Sequence, residues 1–122
     1  MYLQLMNVNS SFQREQLRTW VNVDPGVDRM IMGYDEHLMM VKVRFKKDAV
    51  GALHSHSHVQ TTYIASGSFE VTIEGNTVVL NAGDTFFVAP NLVHGVVCKG
   101  EGMLIDAFHP CREDFLRETD HT

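Results

Sequence analysis

The chain has 122 residues, 44% of them apolar and 20% charged, with a formal net charge of −5. These values describe a globular chain long enough to bury a core without metal or disulfides to hold it together, and they exclude a disordered one. The negative balance argues against nucleic acid, whose phosphate backbone calls for a clustered basic surface.

No stretch approaches the length of a membrane span, so no membrane partner is expected. Residues 1–7 lack a basic start followed by a long apolar run, which speaks against a secretory signal. Cys98 and Cys111 have no framework spacing, and two free thiols fit a cytoplasmic protein. There is no glycine-rich phosphate loop, nucleophile elbow or CxxC pair.

Residues 1–20 are mixed: Phe12, Leu17 and Trp20 fit one side of a short helix or individual packing equally well. Asp24-Pro25-Gly26 is a turn signal. Val27–Gly33 and Leu38–Phe45 read as strands, and the methionines among them as core packing rather than a soft-metal site. Lys42, Arg44 and Lys46 alternate with Val41, Val43 and Phe45, so this basic cluster reads as the polar face of a strand.

The next stretch, Gly51-Ala52-Leu53-His54-Ser55-His56-Ser57-His58-Val59-Gln60, holds three of the chain's seven histidines. Residues two apart on an extended chain point the same way, so His54 and His56 can present two imidazoles to one point. Gln60 has the same parity. Converging imidazoles are a typical set for a first-row transition metal. The run is internal and flanked by strand-like sequence, unlike a tag, which favours metal over a polar loop. His58 shares the parity, yet a turn between His56 and Gln60 would swing it away, so it is expected beside the site or exposed. His37, His109 and His121 are expected at the surface.

From Thr61 the pattern is short strands and turns. Thr61–Ala65 ends at Ser66-Gly67. Phe69, Val71 and Ile73 alternate with Glu70, Thr72 and Glu74, and Gly75-Asn76 turns the chain into Thr77–Leu80. Asn81–Asp84 is another turn before Thr85–Val88. Gly95–Cys98 and Met103–Phe108 complete the series, and Arg112–Glu118 after Pro110 has helix-forming composition. Cys98 beside Val96 and Val97 reads as a core residue, not a nucleophile. Strands this short and evenly spaced predict one all-β domain over residues 1–122, an antiparallel sandwich or barrel with a short C-terminal helix.

Two blocks resemble the cupin family of jelly-roll β-barrels. The first is His54, His56, Gln60 and Gly67; the second runs from Gly83 through Pro90 to His94-Gly95. The resemblance implies a barrel core over about residues 27–110 and one divalent metal ion (nickel, zinc, manganese, cobalt or iron) on His54, His56, Gln60 and His94. Most cupins carry glutamate where Gln60 stands. A neutral amide leaves the ion's charge uncompensated, which suits Lewis-acid work on an anionic substrate better than dioxygen chemistry.

The segment Leu104–Leu116 is similar to the end of the KdgF-type pectin-degradation cupins, and the likeness extends back to residue 27. That family opens the ring of 4,5-unsaturated uronate monosaccharides released by pectate and alginate lyases, giving a linear 5-keto-4-deoxyuronate. The resemblance assigns catalytic positions to Asp106, Phe108 and Arg112: Asp106 shuttles protons, Arg112 grips the uronate carboxylate, and Phe108 shapes the pocket. It also implies a homodimer. Alternation alone leaves two faces open for this strand, with either Leu104, Asp106 and Phe108 or Ile105 and Ala107 inside. Because the barrel hosts many chemistries, a non-catalytic sugar- or metal-binding module, another sugar isomerase and an iron dioxygenase stand as alternatives.

Overall fold

The computed structural model describes residues 11–120, with the side chains of 118–120 excepted; His121 and the first ten residues lie outside that range. Among the described residues, eight strands follow a 3-10 turn at Glu15–Leu17: β1 (Val21–Asp24), β2 (Val27–Tyr34), β3 (Met39–Phe45), β4 (Val50–His54), β5 (Val59–Ile73), β6 (Asn76–Asn81), β7 (Thr85–Val88) and β8 (His94–His109). A short helix, α1 (Glu113–Asp120), closes the chain. The predicted all-β jelly roll with a short C-terminal helix is what forms.

Every strand pair is antiparallel, and β5 and β8 are its spine. The second half of β8 pairs with β3 on one side and the first half of β5 on the other, and that half of β5 also carries β7. This gives one layer ordered β1-β2-β3-β8-β5-β7. The first half of β8 pairs with β4, and the second half of β5 pairs with β6, giving a facing layer β4-β8-β5-β6. The two long strands therefore pass from one layer into the other.

Sequence reading split each of these long strands in two, at Ser66-Gly67 and around Gly100–Gly102. Both are instead bulges, where the β5–β8 register shifts between Ile64 and Phe69. On β5 the shift reverses parity: Gln60, Thr62 and Ile64 are buried before it, Phe69 and Val71 after it. Two glycines make the crossing possible. A Cβ on Gly102 would lie 2.1 Å from the Ser66 carbonyl oxygen, and one on Gly67, whose φ is +83°, 2.4 Å from that of Gly100. Backbone cannot yield to a methyl group at such distances, so Gly102→Ala is expected to destabilise the fold by more than about 3 kcal/mol. A thermal melt checks this, and a midpoint within a degree of wild type contradicts it.

The main core fills the space between layers. Phe45 of β3 packs edge-on against Phe69 of β5 with centroids 5.2 Å apart, surrounded by Ile64, Val71, Val88, Cys98 and Leu104. Alternation on β3 holds as expected, with Val41 and Phe45 buried and Arg44 outside. A second cluster joins Ile31, Met39, Val41 and Phe108 to Cys111 and to Phe115 of α1. This cluster draws α1 against the barrel. In the N-terminal segment, Phe12 and Leu17 are exposed, and the Arg44 guanidinium lies over the Trp20 ring at 4.0 Å.

Candidate metal centre

The histidines meet because of strand register. His54 ends β4 and is paired directly with His94, which begins β8. Gly95 permits that approach, since a Cβ there would lie 2.8 Å from the Gly51 carbonyl oxygen. His56 follows two residues after His54, as parity predicted. The imidazole nitrogens of His54, His56 and His94 come within 4.8 Å of one another. His58 stays outside this group, half-buried, with its ring 5.5 Å from that of His56. His37 and His109 are exposed, as expected.

Each ring in the cluster has a fixed tautomer. The Nδ1 atoms of His54, His56 and His94 lie 2.8, 2.9 and 2.9 Å from the carbonyl oxygens of Ala52, His58 and Leu92. A carbonyl can only accept, so Nδ1 carries the proton and Nε2 keeps its lone pair. Burial also lowers the pKa of His56 and His94, disfavouring their charged forms. The Nε2 of His94 is buried and has no hydrogen-bond partner. An unpartnered buried acceptor among converging imidazoles is what a metal ion satisfies. The three histidines are thus positioned to bind a metal.

Gln60, near the start of β5, brings Oε1 to 3.0 Å from the His56 Nε2. Its Nε2 points the other way, donating to Thr62 Oγ1 at 2.9 Å and, more weakly, to Asp106 Oδ1 at 3.4 Å. Two acceptor atoms therefore face each other across 3.0 Å, an arrangement that a shared cation between them would stabilise.

Asp106 is the cross-strand neighbour of Thr62, β5 against β8. The face left open by alternation is now fixed: Leu104, Asp106 and Phe108 are inside, while Ile105 and Ala107 are half-exposed. Thr62 donates its hydroxyl to Asp106 Oδ1 at 2.6 Å. Burial raises the Asp106 pKa to about 6, against the opposing pull of the Thr62 hydrogen bond and the Arg112 charge.

Arg112 precedes α1 and is buried at 8% exposure, its guanidinium 4.0 Å from the Phe115 ring centroid and 5.0 Å from that of Phe108. Asp114 accepts from its Nε at 3.0 Å and from one Nη at 2.8 Å. A guanidinium has five N–H donors, so the outer edge of the fork stays available. Phe108 lies 5.8 Å from the His56 ring. His54, Gln60, His94, Asp106, Phe108 and Arg112 all line one cavity of about 310 Å³, within the range of small-molecule sites.

Sequence reading missed three residues here. Thr62 shares parity with Gln60, and Arg29 shares parity with Val27 and Ile31, but neither had a partner visible in sequence. Arg29 lines the same cavity, with its guanidinium 3.7 Å from the Phe115 centroid. Asp114 lay within the predicted helix, where its two-residue offset from Arg112 carried no signal.

A jelly roll with three convergent histidines at one mouth of the barrel defines a small cupin of the metal-binding type. Comparison with known proteins agrees. The Cupin domain pattern matches residues 41–108. The chain is 46% identical over 99 residues to the pectin degradation protein KdgF of Dickeya dadantii, covering 80% of this chain and 90% of that one. The structure of KdgF from Halomonas sp. superposes with a TM-score of 0.83 at 37% identity, over 87% of this chain and 98% of that one. An RmlC-like cupin from Shewanella frigidimarina superposes at 0.86 with 41% identity, over 90% and 99%. The chain belongs to the cupin family and, within it, to the KdgF family of pectin degradation proteins.

Proposed function

We propose that the chain is a metal-dependent enzyme that linearises 4,5-unsaturated uronate monosaccharides to 5-keto-4-deoxyuronate. The observation that carries this reading is the convergence of Asp106, Phe108 and Arg112 with the histidine cluster on one cavity, in a relative of the KdgF proteins. Gln60 Oε1 joins the three histidines as fourth ligand. A divalent transition ion held by this set (nickel, zinc, manganese, cobalt or iron) supplies Lewis acidity that polarises substrate oxygens.

The chain's own residues handle charge and protons. Arg112 offers its free fork edge to the uronate carboxylate, and Asp114 keeps the guanidinium flat and in place. Asp106 takes the proton from the anomeric hydroxyl as the bond from C1 to the ring oxygen breaks, leaving an aldehyde and an enolate. It then returns that proton to C4, and the enolate becomes a ketone at C5. One proton leaves oxygen and one arrives at carbon, so the reaction is an isomerisation with no co-substrate. A carboxyl whose pKa is near 6 can do both at neutral pH. Phe108 forms the apolar wall that keeps water from the reacting face.

Met40 of β3, Tyr63 of β5 and Phe87 of β7 are exposed on the outer face of adjacent strands, with Ile105 and Ala107 of β8 between them. This apolar band supports a homodimer. No helix among the described residues is long and apolar enough to cross a membrane. Both cysteines are free, which supports a cytoplasmic setting.

The test follows the ultraviolet absorbance of an unsaturated uronate monosaccharide, because linearisation removes its C4–C5 double bond. Metal-loaded protein is expected to accelerate the loss over the spontaneous rate without consuming oxygen. Decay no faster than the protein-free control would leave a binding module as the better reading.

A further inference from the structure

We propose that Thr62 is a positioning residue for the metal centre: its hydroxyl decides which atom of Gln60 faces the histidines, and it ties that ligand to Asp106. The inference rests on the reading of Gln60 as the fourth ligand.

The side chains involved are all buried, with Thr62 1%, Gln60 6% and Asp106 8% exposed, so water does not compete for their hydrogen bonds. A hydroxyl has one proton to give. That of Thr62 goes to Asp106 Oδ1 at 2.6 Å, which leaves the oxygen's lone pairs for the Gln60 N–H at 2.9 Å. The chain of donation therefore runs Gln60 to Thr62 to Asp106, and it has one direction. Turning the Gln60 amide over would bring its oxygen against the oxygens of Thr62 and Asp106, and the N–H bond it gained to the His56 Nε2 would occupy the lone pair that a metal needs. Thr62 and Asp106 together make that orientation unfavourable, so Gln60 presents oxygen to the cluster.

Register explains why this residue can do so. Thr62 sits two positions after Gln60 on the inward face of β5 and directly opposite Asp106 on β8. Val or Ala at this position would preserve the strand but leave the Gln60 amide without its nearer acceptor. Ser would keep the hydroxyl. The methyl group of Thr62 is therefore expendable and the oxygen is not.

The experiment titrates Co²⁺ into metal-stripped full-length protein and follows the visible absorption of the bound ion. Thr62→Val is expected to weaken Co²⁺ binding 10- to 100-fold and to alter the band shape, the usual penalty for removing an outer-shell partner. Thr62→Ala repeats the test if the Val variant folds poorly, and Thr62→Ser should stay within about threefold of wild type. With Co²⁺ saturating, Thr62→Val should lose at least tenfold in kcat with KM nearly unchanged, since Asp106 has lost its shortest hydrogen bond. Gln60→Ala separates the layers of the argument. If it leaves Co²⁺ affinity unchanged, the ligand assignment fails and the proposal with it. If Gln60→Ala weakens binding while Thr62→Val and Thr62→Ala do not, only the positioning role of Thr62 is overturned. A Ser variant as impaired as the Val variant overturns it too, because packing would then be the cause.

Discussion

Asp106→Asn is expected to lower kcat by about 10²- to 10⁴-fold, to leave the metal content unchanged, and to raise the melting temperature of the metal-free protein at pH 7. The first effect follows from removing the group that exchanges protons with O1 and C4. The second follows from geometry, because an asparagine Oδ1 can still accept from Thr62 and Gln60, as the carboxylate does now. The third follows from burial. A carboxyl whose folded-state pKa is raised from 3.8 to about 6 costs the fold stability once it ionises. Below pH 4 the group is neutral whether folded or not, and wild type and variant should melt alike. Between pH 4 and 6 the unfolded chain ionises first, so wild type loses ground; above pH 6 the gap is full, on the order of 3 kcal/mol. Melting both proteins without metal across this range reads the gap directly. A gap independent of pH would show that the carboxyl is not strained by burial, and turnover within tenfold of wild type would remove Asp106 from the mechanism.

Such a carboxylate is an expensive thing to keep in a barrel interior, and the sequence alone did not reveal where it lies. Alternation reports that Leu104, Asp106 and Phe108 share a face, but both faces of that strand are moderately apolar, so it does not say which is inside. The resemblance of residues 104–116 to the pectin-degradation cupins leaned toward the inward face, and the register of β8 between β3 and β5 fixes it. The same limit hid Thr62, whose importance depends on lying opposite a residue 44 positions away. Local chemistry was easier to read. The spacing of His54 and His56 gave two converging imidazoles without knowledge of any partner strand, and the alternation in β3 and the β5–β6 hairpin was equally plain. The bulges were misread for a physical reason. Glycine and serine at Ser66-Gly67 look like a turn, whereas here the glycine is needed because two backbones cross at less than van der Waals distance from any side chain. Turn chemistry and close approach use the same residue, and one sequence does not separate them.

His94→Ala is expected to abolish metal binding and, with it, all turnover above the spontaneous rate. His94 is the buried member of the cluster, 3% exposed, and its Nε2 has no partner within the protein. The other two histidines lie in or near β4, at the rim, where His54 is exposed and His56 half-buried. Removing His94 leaves two imidazoles nearer the surface and one buried but neutral amide, and the loss in affinity should reach at least about 10³-fold. Thermal melting with and without Co²⁺ measures this independently of catalysis. At a free metal concentration a thousand times its dissociation constant, wild type should gain about 4 kcal/mol, and the variant almost nothing. Without metal the two should melt within a few degrees of each other. The cavity left by the imidazole costs packing, but the variant no longer buries an unsatisfied nitrogen, and these effects oppose. His58→Ala serves as the internal control, since His58 lies next to the cluster but outside it, and that variant should keep the full metal-induced shift. If His94→Ala keeps the shift and His58→Ala loses it, the ion is held at the rim by His54, His56 and His58, and the cavity that Asp106 and Arg112 line is not where it binds.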